Sequence, residues 1–70
     1  MADIAMPMNG KVIGIKAQVG QTVSEDDELV IIEAMKMELP VVATESGTVK
    51  EVRCKEGESY QVGDCLVVLG

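Results

Sequence analysis

Laid over itself with a displacement of 37 residues, the 70-residue sequence aligns without a gap. Gly10 falls on Gly47, Val12 on Val49, Gly20 on Gly57, Asp27 on Asp64, Leu29 on Leu66 and Val30 on Val67. Across residues 10 to 32 this makes 6 identities in 23 positions, and Ile15/Val52, Lys16/Arg53, Thr22/Ser59, Ile31/Val68 and Ile32/Leu69 are conservative pairs. A repeat of this kind means one supersecondary unit used twice. Each half reads as a meander of short strands separated by glycine turns. The strands predicted are Ile4–Met6, Gly10–Ile15, Thr22–Val23 and Leu29–Met35, then Met37–Ala43, Gly47–Val52, Ser59–Tyr60 and Cys65–Leu69. A half of four short strands cannot bury its own apolar face. Two halves packed face to face about a quasi two-fold axis can. The expected fold is therefore all-β: a flattened barrel or sandwich of two quasi-symmetric four-stranded halves.

Composition supports strands. Eleven Val and 5 Ile stand against 4 Leu, and branching at Cβ suits a pleated sheet better than a helix. The length predicts a single domain over residues 1–70 with a thin core. Val12 and Ile15, like Val49 and Val52, are three residues apart, which breaks the strand period of two. A bulge in each copy would turn both residues inward. Gly63 corresponds to Asp26, and aspartate is among the few residues that replace glycine at positive φ. The run Glu25-Asp26-Asp27-Glu28 then lies in a solvated turn. It lacks the alternating ligands and the glycine of a calcium loop.

Several kinds of function are excluded at this point. The chain has no His, which removes Ser-His-Asp and Cys-His catalysis and His-ligated metal. Six basic against twelve acidic residues, with Tyr60 the only aromatic, argue against nucleic-acid binding. No apolar run is long enough to span a membrane. Met1-Ala2-Asp3 does not begin a secretory signal, so the expected location is the cytoplasm. Cys54 and Cys65 lack zinc spacing and are too few to staple a secreted domain. Cys54 aligns with Ala17 and reads as a small core residue. Cys65 aligns with Glu28 and is expected at the surface. Tyr60 aligns with Val23 and reads as packing, its hydroxyl at the rim. Any chemistry here would have to come from an attached group.

The halves are joined by Glu33-Ala34-Met35-Lys36-Met37-Glu38, with strands entering from both sides. This segment should be a hairpin tip. Two-residue hairpin loops favour Asn or Gly at their centre, yet the central residues here would be Met35 and Lys36. Local rules are usually broken where function requires it. The tip would hold one ammonium between two thioethers, with a carboxylate beyond on each side. From spacing alone, an ordinary surface lysine remains equally open.

The hexamer EAMKME at 33–38 resembles the attachment motif of the biotin carboxyl carrier family. The resemblance extends over nearly the whole chain. Ala5-Met6-Pro7-Met8-Asn9-Gly10 is similar to that family's N-terminal segment. Ala43, Gly47-x-Val49, Glu56-Gly57 and Gly63-Asp64-x-Leu66 fall where its pattern places them. Asn9 stands where the family often has Pro, and Asp26 where it usually has Gly. The family's fold is the barrel-sandwich hybrid. Some members carry a "thumb" insertion in the first half; the gapless repeat predicts none here. The Ala/Pro-rich linker that often precedes such domains is absent, which suggests either a stand-alone carrier or a piece of a longer subunit.

The resemblance implies covalent biotin on Lys36, joined by a biotin protein ligase. Only a neutral amine attacks an activated carboxyl group, and a free lysine titrates near about 10.4, so the ligase must help remove the proton. It implies that the domain carries CO2 as carboxybiotin from a biotin carboxylase to a carboxyltransferase or decarboxylase, without catalysing either step. Met35 and Met37 would flank the modified lysine as adaptable contacts. Glu38, and less firmly Glu33, would serve ligase recognition. Pro40 would begin the return strand, where its missing N–H matters least. As an isolated domain the chain is expected to be a monomer. Three other readings stay open. A lipoyl carrier shares the fold, although its hairpins typically have Asp before the lysine. An unmodified barrel could serve as a structural module. A soft-metal site could use the sulfurs of Met6, Met8, Met35, Met37, Cys54 and Cys65.

Overall fold

The computed structural model describes residues 2–70; Met1, part of the N-terminal tripeptide read above, lies outside the described residues. Eight strands follow in order: β1 (Ala2–Ala5), β2 (Gly10–Ile15), β3 (Thr22–Val23), β4 (Glu28–Ala34), β5 (Met37–Val42), β6 (Gly47–Val52), β7 (Ser59–Tyr60) and β8 (Cys65–Leu69). The predicted strands are present, most with the predicted bounds. β1 begins and ends earlier than expected, since Met6 has already turned out of the ladder into the core. Among the described residues there is no helix, hence none long and apolar enough to cross a membrane.

The strands form two four-stranded antiparallel sheets, ordered β1-β8-β6-β3 and β5-β4-β2-β7. Adding four to each strand number of the first half converts one order into the other, the quasi two-fold expected from the repeat. The halves do not, however, form separate meanders that meet face to face. Each sheet takes two strands from each half, because nearly every connection crosses from one sheet to the other. Only β4 and β5 are joined within a sheet. Interleaving lets each copy bury its apolar side on the other without leaving a half-sized sheet with open edges.

The bulges fall at equivalent places. Register shifts between Val12 and Gly14 on β2, and between Val49 and Glu51 on β6. Val12 and Val49 are fully buried, while Ile15 and Val52 pack against the core with part of their surface exposed. The identities of the repeat are explained by burial and by turns. Val12/Val49, Leu29/Leu66 and Val30/Val67 are core pairs. Asp27 accepts the Ser24 N–H on Oδ2 at 2.8 Å, and Asp64 accepts the Gln61 N–H on Oδ2 at 2.9 Å. These are equivalent carboxylate-closed turns. Asp26 and Gly63 occupy equivalent positive-φ positions, at 74° and 92°.

The molecule measures 30 × 18 × 18 Å. At one end of the sheets Gly10 approaches Glu33 and Ala34, and the Met6–Asn9 loop bonds to residues 61–64. At the other end Ala2 pairs with Leu69, and Thr48 and Gly70 exchange backbone hydrogen bonds of 3.0 and 2.8 Å. The β4–β5 turn and the described chain ends therefore stand at opposite poles.

Candidate functional site

The β4–β5 hairpin is in register from Glu28↔Val42 to Glu33↔Glu38 and Ala34↔Met37, with an irregularity only near Glu28. Two residues, Met35 and Lys36, close it. Their φ angles are 54° and 64°, so both central residues are left-handed, as a primed turn requires. Neither is Gly or Asn, and the turn keeps its form because β4 and β5 are paired up to its base. β2 pairs with β4 no further than Lys11↔Glu33. The turn and Met37 consequently project beyond the sheet.

Met35 is 87% exposed and Met37 61%, and Lys36 is exposed between them. Among the described residues Lys36 forms no ion pair or side-chain hydrogen bond. Beneath the turn Ala34 is buried, rooting the tip in the core. Glu33 and Glu38 face each other across the ladder, Lys11 pairs with Glu33, and Ser59 pairs with Lys11. Cross-strand partners share a sheet face, so Glu38, Glu33, Lys11 and Ser59 make one exposed polar row under the tip. The predicted site residues are all brought to this hairpin. The six sulfurs are not: Met6 and Cys54 lie in the core, while Met35 and Met37 stand at the turn. Cys65, expected at the surface, is half-buried.

Gly10 allows the hairpin base its position. A Cβ there would lie 2.6 Å from the Glu33 carbonyl oxygen and 3.1 Å from the Ala34 Cβ. Beside the base runs an open cleft of about 550 Å³, walled by Glu33, Ala34 and Met35 on the hairpin, by Asn9–Lys11, and by Ser59–Gln61. The far wall is stiffened from within. The Tyr60 hydroxyl accepts the Lys55 N–H at 2.8 Å and donates to Glu58 at 3.2 Å. Burial pushes its pKa upward. Sequence reasoning missed this cleft, since its walls come from three separate segments, Asn9–Lys11, Glu33–Met35 and Ser59–Gln61. The available signal was the unusual Asn9, whose Oδ1 accepts the Val62 N–H at 2.8 Å.

An exposed amine on a projecting hairpin can be acylated without disturbing the core, and among the described residues no side chain pairs with it. The chain is 50% identical over 64 residues to pyruvate carboxylase of Bacillus subtilis, covering 91% of this chain but 6% of that protein. It is 39% identical over 66 residues to the biotin/lipoyl attachment protein of the same organism, covering 94% of this chain and 90% of that one. Its fold matches the solution structure of the lipoyl domain of the 2-oxoglutarate dehydrogenase complex from Azotobacter vinelandii, with a TM-score of 0.82, 28% identity, and coverage of 100% and 96%. Residues 2–69 match the family model described as biotin-requiring enzyme, and the chain belongs to this biotin/lipoyl family.

Proposed function

We propose that this domain is a biotin carboxyl carrier whose Lys36 ε-amine receives biotin from a biotin protein ligase in the cytoplasm. The observation that supports it most is the turn itself: a lysine between two exposed methionines, both turn residues in left-handed conformations, in a chain of the biotin/lipoyl family. The residues fit the group. The amine is exposed and unpaired among the described residues, and Ala34 anchors the tip so that acylation need move nothing in the core. Attached biotin supplies a ureido nitrogen that takes up and releases a carboxyl group.

In this reading the chain's own residues hold and present. The hairpin carries the amine clear of the sheet. Met35 and Met37 give adaptable apolar contact to more than one partner. Glu33 and Glu38 offer the ligase a pair of carboxylates on one face. The carboxylation and transfer steps belong to a biotin carboxylase and to a carboxyltransferase or decarboxylase. The domain contributes no catalytic group and keeps the biotin at high effective concentration near both.

A lipoyl carrier is the second reading, favoured by the shared fold. Methionine on both sides of Lys36 and the higher identity to a carboxylase favour biotin. Intact mass and avidin capture after incubation with biotin, ATP and a biotin protein ligase separate the two, with a parallel incubation using lipoate and a lipoate ligase. One biotin per chain, absent in Lys36→Arg, is the expected result. A folded wild-type chain that takes up no biotin overturns the reading.

A further inference from the structure

The quasi two-fold gives the Lys36 pole an internal control. Each pole is built from an equivalent pair of loops: residues 6–9 with 61–64 beside Lys36, and residues 43–46 with 24–27 beside the described chain ends. Their backbones are tied in the same way. Met6 N–H donates to the Asp64 carbonyl at 2.7 Å and Gly63 N–H to that of Met6 at 2.9 Å; Ala43 N–H donates to Asp27 and Asp26 N–H to Ala43, both at 2.9 Å. The side chains differ. Where the far pole has Glu25, Asp26, Glu28 and Glu45, the Lys36 pole has Val62, Gly63, Cys65 and Met8. Four carboxylates at one pole correspond to uncharged positions at the other. The fold does not demand this, since the same backbone accepts either set.

Val62 carries the point furthest. It is 63% exposed, in a loop position where its mate is glutamate. Its N–H is held by Asn9 Oδ1 at 2.8 Å, a brace for which no Ser46–Glu25 counterpart is found among the described residues. A rigidly displayed apolar side chain of this kind is pre-organised for contact. It directly follows Gln61, the last residue of the cleft's far wall.

We propose that the loop 61–64, with Val62 at its crest, is the second wall of the docking face on which a biotin protein ligase seats the domain. This rests on the carrier reading above. A ligase must cover the turn to reach the ε-amine of Lys36. A standard interface buries about 800 Å² of each partner, and even transient ones several hundred. Against a total accessible surface of 4280 Å², this is far more than Met35, Lys36 and Met37 can offer. The contact must spread from the tip, and on the cleft side it meets Lys11 and Glu33 in the cleft itself and the exposed apolar Val62 on the loop after Gln61. The partner surface that fits offers apolar contact to Met35 and Val62 and polar groups to Lys11 and Glu33 between them.

The experiment measures steady-state biotinylation of the 70-residue chain by a purified ligase, with ATP and biotin saturating. Val62→Glu installs the residue of the equivalent position and should raise the KM for the domain at least tenfold with kcat unchanged. Val62→Gln, uncharged like Gln61, should raise it only a few-fold. Glu25→Val at the far pole should leave it within twofold. Unchanged thermal melts show that the variants fold. If the wild type accepts biotin and Val62→Glu has the wild-type KM, the docking face is overturned and the carrier reading stands. A wild type that accepts no biotin overturns both. If sedimentation shows a wild-type dimer that Val62→Glu dissociates, the face belongs to a second copy of the chain and the assignment to the ligase fails.

Discussion

Met35 and Lys36 hold backbone conformations that cost a non-glycine residue about 1–2 kcal/mol each. The double variant Met35→Asn/Lys36→Gly should therefore be more stable by about 2 kcal/mol. This would be read as a higher urea midpoint at unchanged m, together with loss of the acceptor amine. Lys36→Arg alone should fold normally, with a melting temperature within about 2 °C of wild type, because the side chain touches no core residue. Gly10→Ala should do the opposite. Its Cβ meets backbone at 2.6 Å, and the strain should cost about 1–3 kcal/mol by thermal or urea unfolding. The turn was legible in the sequence because strands run into Glu33–Glu38 from both sides, although the predicted strand Leu29–Met35 took in Met35, which lies in the turn with Lys36. The role of Gly10 was not, since a close approach between β2 and the hairpin base leaves no mark on hydrophobic alternation. Cys54 gives a pH prediction. Burial raises its thiol above an ordinary 9.0, so the folded state holds the proton more tightly than the unfolded one. Its contribution to stability is complete below that value and is lost as pH rises through the folded pKa. Cys54→Ala, matching Ala17, should keep the fold and flatten the stability profile above about pH 9. Cys65 and Tyr60, also raised by burial, leave a residual slope.

At the level of elements, the strands and both bulges could be read from the repeat, and their partners could not. Alternation tells which side of a strand is buried, not which strand lies beside it. Interleaved halves and separate meanders would show the same pattern along Leu29–Ile32 and Leu66–Leu69. The acidic turn shows a similar limit. Asp27 looked like one of four solvated carboxylates, yet it closes its turn as Asp64 closes the equivalent one. Asp27→Ala and Asp64→Ala should each cost about 1 kcal/mol, measured by urea unfolding. Only Asp64→Ala should also weaken docking at the Lys36 pole, because its turn displays Val62.

The whole molecule is a rod with two unlike poles, one bearing the amine among carboxylates and apolar side chains, the other acidic and bearing the described chain ends. Pairing of Ala2 with Leu69 has a mechanical meaning. β1 and β8 are antiparallel neighbours that leave the molecule from the same end. Tension applied between those ends opens their ladder one rung at a time, as a zipper, and never loads the rungs together in shear. A domain stretched between two anchors should yield at low force in single-molecule pulling. The same domain hung from one end carries no such load, and swings with Lys36 at its free tip.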